Sequence, residues 1–144
     1  MATVEDFDVV VEQFYRAQGE LVKGNPEPVK ELCSHREDAT LANPFGPTVR
    51  GWEQVAATLE RAASQLRAGE VVGFEIVAKY VTPELGYMVA VERAKAKVGG
   101  REDITPIALR VTMIFRPEHG VWKLVHRHAD PITTPRSAES ILQQ

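Results

Sequence analysis

The chain has 144 residues, 44% of them hydrophobic and 26% charged, with a formal net charge of -3. This is the balance of one soluble globular domain over residues 1–144, large enough to bury a core. The slight acidic surplus argues against nucleic-acid binding, and no apolar run nears the ~18 residues of a membrane span, so no membrane partner is expected. The single Cys33 excludes an internal disulfide and a cysteine metal cluster. The acidic start Met1–Asp8 lacks the basic and apolar regions of a signal peptide, so a cytoplasmic location is expected.

Thr3 is placed to cap a first helix, with Asp6 in the capping-box position. Val4, Phe7, Val10, Val11, Phe14, Tyr15 and Gln18 recur at spacings of three and four, which predicts an amphipathic helix to about Lys23. Asn25-Pro26 opens a short second helix over Pro28 to Leu32. A short strand over Ala39–Asn43 ends at Pro44, and a third helix from Trp52 to about Arg67 carries Val55, Leu59, Ala62, Ala63 and Leu66 on one side. Strands follow over Val71–Val81, Gly86–Val98, Ile104–Phe115 and Val121–Ala129, joined by turn-rich connections typical of antiparallel hairpins. Ser137 to Leu142 can form a last helical turn. Helices first and a meander of long strands afterwards predict an α+β domain with the helices on one sheet face.

The last strand carries the most information. At a period of two, Trp122, Leu124, His126, His128 and Asp130 share one face, while Val125, Arg127 and Ala129 share the other. So many polar groups are rare in a strand that only fills a core, because each buried one needs a partner. A pocket, an interface or both are expected there.

Two stretches carry a family resemblance. Glu37-Asp38-Ala39-Thr40-Leu41-Ala42-Asn43-Pro44-Phe45-Gly46, followed by Gly51 and a helix, resembles the segment of ketosteroid isomerases in which an acidic-Ala-Thr strand runs into Asp-Pro-x-Gly. Phe115 through His128 resembles the closing hairpin of SnoaL-like domains and of the calcium/calmodulin-dependent kinase association domain. The resemblance, over roughly Val4 to Pro131, implies the cone-shaped, barrel-like fold of the nuclear transport factor 2-like superfamily, with N-terminal helices packed on a curved antiparallel sheet. It also implies a pocket on the concave face and dimerisation through the other. The isomerase chemistry does not carry over. Its general base falls on Asn43, an amide that accepts no proton near neutral pH, its oxyanion-binding tyrosine near Ala17, and its protonated aspartate near Val111.

Aligning the hairpins pairs Thr112 with about His126, Arg110 with about His128, and Glu92 with about Arg110. One face then holds Glu92, Arg110, Thr112, His126, His128 and Asp130, with Ile114, Trp122 and Leu124 at its apolar end. The other holds Tyr87, Val89, Val91, Leu109, Val111, Met113, Phe115 and Val125, interrupted by Arg93 and Arg127. The apolar face suits the helices, so the ligand-binding set is Tyr15, Asn43, Trp52, Arg93, Val111, Met113 and Arg127. The resemblance agrees, since the isomerase pocket maps onto Val111, Met113 and Val125. Such a pocket suits a small apolar ligand with an anionic or carbonyl end. Alternatively, Arg93 and Arg127 reach solvent or pair with Glu75 or Glu92. On the polar face, His126, His128, Asp130 and Glu92 could hold a metal or serve acid-base chemistry. Arg110 among them disfavours a cation, so no metal and no cofactor are assigned. A homodimer interface of Arg110, Thr112, Trp122, His126 and His128 is expected instead. The reading is a dimeric SnoaL-like small-molecule-binding domain, with cofactor-free isomerase, cyclase or hydrolase activity left open. The rival is an association module like the kinase association domain.

Overall fold

The fold was obtained as a computed structural model. It describes residues 3–143, without the side chains of Glu5 and of Val4, the first member of the expected apolar stripe. Helix α1 runs over Val4–Leu21, α2 over Glu27–Leu32 and α3 over Trp52–Ser64. Strands β1 (Thr40–Ala42) and β2 (Val49–Arg50) lie between α2 and α3; β3 (Leu66–Val81), β4 (Gly86–Val98), β5 (Thr105–Glu118) and β6 (Val121–Asp130) follow, and a 3₁₀ turn spans Ala138–Ile141. Thr3 caps α1 as expected: its Oγ1 accepts from the Asp6 amide, and Asp6 Oδ2 accepts from the Thr3 amide. No helix among the described residues is long and apolar enough to cross a membrane.

The six strands form one sheet in the order β2-β1-β6-β5-β4-β3. The meander from β3 to β6 is antiparallel as expected, but β1 pairs with β6 in parallel, so the sheet is mixed, and it does not close into a barrel. The β5–β6 hairpin turns on His119 and Gly120, both at positive φ (53° and 79°), the backbone that suits a tight two-residue hairpin. β3 begins five residues earlier than its sequence pattern suggests, because three register shifts interrupt its alternation.

All three helices contribute to the inner face. Phe7 of α1 packs edge-on against Phe115 and Trp122, and with Phe14, Met88 and Met113 it fills one end of the cone. The apolar stripe of α1 therefore lands on the sheet, as its periodicity implies.

Two expected registers differ from the observed ones. Glu92 stands opposite Leu109 rather than Arg110, so β4 presents Met88, Ala90, Glu92 and Ala96 inward, and Val89, Val91 and Arg93 outward. In β6, Ile114 pairs with His126 but Phe115 pairs with Leu124, so Val125 is an extra, bulged residue. A one-residue bulge reverses parity along a strand. Trp122 and Leu124 are therefore buried with Arg127 and Ala129 on the inner face, while His126 and His128 point outward. Trp122 is thus no part of an exposed polar face: it is 3% exposed, and its indole N–H donates to the Thr3 carbonyl at 3.1 Å.

Candidate functional site

Between the helices and the inner sheet face lies a cavity of about 250 Å³. Gln18 and Leu21 line it from α1, Val22 from the residue after it, Val29 from α2, Leu59 and Ala62 from α3, and Leu41 from β1. The sheet contributes Leu66 and Val71 of β3, Glu92, Ala94 and Val98 of β4, Ile107 and Leu109 of β5, and Arg127 and Ala129 of β6. The exposed Pro44, Phe45 and Pro131, with the half-buried Asn43, mark its opening. The wall is almost wholly apolar, as is usual where a small molecule binds.

One polar cluster interrupts that wall. Arg127 Nη2 donates to Glu92 Oε1 at 2.7 Å and Nη1 to Glu92 Oε2 at 2.8 Å, and the Tyr15 hydroxyl donates to the same Oε2 at 2.7 Å. Both charged residues are 6% exposed. Arg127 Nη1 also lies 3.5 Å from the Met113 sulfur, and the guanidinium stands 5.1 Å from the centre of the Phe14 ring. Burial alone would raise the Glu92 pKa, but the charge and hydrogen bonds of Arg127 and the Tyr15 hydrogen bond outweigh it, so the carboxyl stays below its ordinary range. Burial first, and then the Glu92 charge, push the Tyr15 phenol upward, so it remains a proton donor. Burial lowers and Glu92 raises the Arg127 pKa, with a net rise that keeps it charged. Among the described residues no buried side-chain nitrogen or oxygen lacks a partner.

Of the expected ligand-binding residues, Tyr15, Asn43 and Arg127 come together around this cavity. Asn43 Oδ1 is occupied by the Phe45 amide at 3.0 Å, an Asx turn that shapes the rim. Val111 and Met113 lie on the correct face but are fully buried, deeper in the cone. Ile107 and Leu109, earlier on the same strand, take the place expected of them. Arg93 meets only the cavity's edge: it is exposed and alternates with the inward Glu92 and Ala94. Trp52 lies away from the cavity, stacked on His35 with ring centres 3.8 Å apart. Glu92 was expected on the polar face, and its place in the wall is the main residue missed. Ala90, Ala94 and Ala96 alternate with Arg93, Lys95 and Lys97, a pattern that sends the alanines inward and Glu92 with them.

The opposite sheet face brings together Arg110, Thr112, His126 and His128. Arg110 grips Asp130 through Nε and Nη2 at 3.0 and 2.8 Å, His128 Nε2 lies 2.9 Å from Asp130 Oδ2, and His126 Nδ1 lies 2.7 Å from Thr40 Oγ1. The Arg110 hydrogen bonds hold Asp130 at about 2. Partial burial and the neighbouring His128 push His126 down. No group of three or more metal-capable side chains converges among the described residues. Cys33 is buried, and that burial raises its thiol to about 12, which suits an inert filler.

An α+β domain with helices over one face of a curved sheet, and an apolar cavity between, defines a cone-like fold that can hold a small molecule. Residues 10–133 match the SnoaL-like domain, and the chain belongs to that family. Solved structures with this fold include a proposed dehydratase of the nuclear transport factor 2-like family from Streptomyces avermitilis (17% identity, TM-score 0.72, covering 91% of this chain and 97% of that one). A ketosteroid isomerase-like protein from Erwinia carotovora atroseptica is similar at 13% identity and TM-score 0.71, with 88% and 94% covered. So is a proposed calcium/calmodulin-dependent protein kinase type II association domain from Thiobacillus denitrificans, at 17% identity and TM-score 0.66, with 91% and 96% covered. At these identities the likeness is one of fold. No protein of curated function matches the sequence significantly.

Proposed function

We propose that this chain is a cytoplasmic small-molecule-binding protein whose ligand occupies the cavity beneath α1 and α3. The observation that carries the reading is an apolar chamber of about 250 Å³ with a single ordered cluster, Tyr15, Glu92 and Arg127, in its wall. That volume lies just under the ~300 Å³ lower end of ligand pockets, so the ligand is small and compact. An association module such as the kinase association domain needs no such chamber, and a cone filled with side chains would favour it.

Binding is favoured over isomerase, cyclase or hydrolase turnover. Glu92 is the one carboxylate among the described lining residues, and three hydrogen bonds hold it ionised. A carboxylate stabilised in that way is a weak base. Asn43, whose oxygen is engaged by Phe45, supplies no substitute.

The test is thermal unfolding with 2-naphthol and 1-tetralone, in the native chain and in Ala62→Phe, which fills the chamber from α3. A ligand bound only to the folded state raises the melting temperature. The expected result is a rise in the native chain that Ala62→Phe abolishes. No rise, or a rise that survives the substitution, would defeat the proposal.

A homodimer through the outer sheet face is part of the same proposal. Arg110, Thr112, His126 and His128 adjoin Tyr87, Val89, Val91 and Ile114 there, an apolar patch with a polar margin.

A further inference from the structure

We infer that the cavity selects electrically neutral ligands over carboxylates of the same shape, and that Glu92 is the residue that sets this preference. The inference rests on the binding role proposed above for the same cavity.

An arginine in an apolar pocket would ordinarily announce a carboxylate ligand, because its planar fork matches two carboxylate oxygens. Here the fork is already filled from within the chain. Both Arg127 terminal nitrogens are on Glu92, at 2.7 and 2.8 Å, and the pair sums to zero charge. Tyr15 supplies a third hydrogen bond to the same carboxylate. The cluster therefore presents a ligand with dipoles rather than a net positive charge.

An entering carboxylate would meet the repulsion of Glu92 at nearly the distance at which it felt the attraction of Arg127. It would also have lost its water shell to an otherwise apolar wall. Displacing Glu92 from Arg127 offers no escape, since Glu92 would then be the buried charge without a partner. Among the described lining residues the other arginine, Arg93, is exposed at the cavity's edge and cannot neutralise a charge in its interior. A neutral ligand carries none of these penalties, and an amide, ketone or alcohol can accept or donate a hydrogen bond at the margin of the cluster.

The experiment measures the affinities of 2-naphthamide and 2-naphthoate by ¹H–¹⁵N NMR titration at pH 7. The two are nearly the same shape and differ in charge. The native chain should bind the amide at least about tenfold more tightly, a difference of about 1.4 kcal/mol. Glu92→Gln keeps the size of the side chain but leaves Arg127 unneutralised, so the order should reverse in favour of the naphthoate. Where Glu92→Gln fails to fold, Glu92→Leu likewise leaves Arg127 unneutralised and should show the same reversal, and an amide preference kept there would equally show that Glu92 does not set it. Equal affinities in the native chain, or a tighter naphthoate, would overturn the inference while leaving the cavity's binding role intact. If neither probe binds, the binding role fails and the preference with it. If the amide preference persists unchanged in a folded Glu92→Gln, Glu92 is not what sets it.

Discussion

Replacing Arg127 by methionine should cost far more stability than replacing the whole ion pair. The substitution keeps most of the aliphatic volume of Arg127 but leaves Glu92 buried, with the Tyr15 hydroxyl as its one remaining partner. Two unit charges about 4 Å apart attract by about 4 kcal/mol at an effective dielectric of 20. That agrees with the ~3–5 kcal/mol typical of breaking one side of a buried pair. With a urea slope of ~2 kcal/mol/M, the midpoint of unfolding should fall by about 2 M. Glu92→Leu with Arg127→Met should recover most of this loss. The residue still missing, about 1–3 kcal/mol, belongs to a Tyr15 hydroxyl without an acceptor, and Tyr15→Phe should restore it. The pH dependence carries a second signature. In the native chain the folded Glu92 pKa is lowered, so its contribution is present above the ordinary glutamate value of about 4.3 and is lost as pH falls through the folded value. In Arg127→Met the lowering charge is gone and burial remains, so the folded pKa rises. The variant is then penalised increasingly as pH climbs through that raised value, and its deficit should shrink on moving from pH 7 to pH 4. Urea titrations followed by far-ultraviolet circular dichroism at both pH values measure all of this. A single variant that costs under about 1 kcal/mol, or a double variant no better than the single, would refute a desolvated, mutually dependent pair.

A methyl group added at Gly86 would sit 2.6 Å from the Phe7 ring, so Gly86→Ala should cost about 1–3 kcal/mol, whereas Gly19→Ala, which meets no atom within 4 Å on α1, should gain up to about 1 kcal/mol. Equal effects in urea unfolding would contradict the close packing of α1 on β4. In a Trp52→Phe background, Trp122, 3% exposed, should emit at short wavelength, resist iodide quenching and stay unchanged on dilution; emission that shifts with protein concentration would place it at an interface after all. Light scattering at micromolar concentration should give twice the 16.0 kDa chain mass, and Val89→Arg on the outer face should halve it. A native chain already monomeric would rule out the dimer.

Much of this fold was legible because its elements are locally consistent. The Thr3–Asp6 box and the spacing of Phe7, Val10, Val11 and Phe14 act within a few residues, and the structure places them as the sequence implies. The connection before Val121 is likewise a hairpin turn, though tighter than the four residues Pro117–Gly120 suggest, because β5 runs on to Glu118. The parallel pairing of β1 with β6 was not legible, because a three-residue strand between two loops carries no signal of its partner. Tyr15 and Arg127 could be assigned to the cavity, but Val111 and Met113 could not be told apart from Ile107 and Leu109. They share one strand face, and only the bulk of Phe7, Phe14 and Trp122 decides which end of the cone is filled.

Where the charges fall turns on single-residue register. The hairpin alignment puts Glu92 and Arg110 on one face, and nothing in Gly86 to Val91 corrects it, because that half of β4 is apolar at both parities and specifies neither face. The other half does, through its alternation of alanine with arginine and lysine, and it turns Glu92 toward Arg127. In β6 the bulge at Val125 lets one strand serve two environments: Trp122 and Leu124 in the core, then His126 and His128 outside, with Arg127 between them turned in. Were Val125 paired in the ladder instead of bulged, inward Trp122 would put His126 and His128 in the cavity wall and take Arg127 away from Glu92. The bulge is therefore what keeps Arg127 on Glu92 in a strand that carries Val125. Deleting Val125 should leave a regular ladder with the pair intact, so a Val125 deletion that folds but loses the Arg127–Glu92 pair would refute this register.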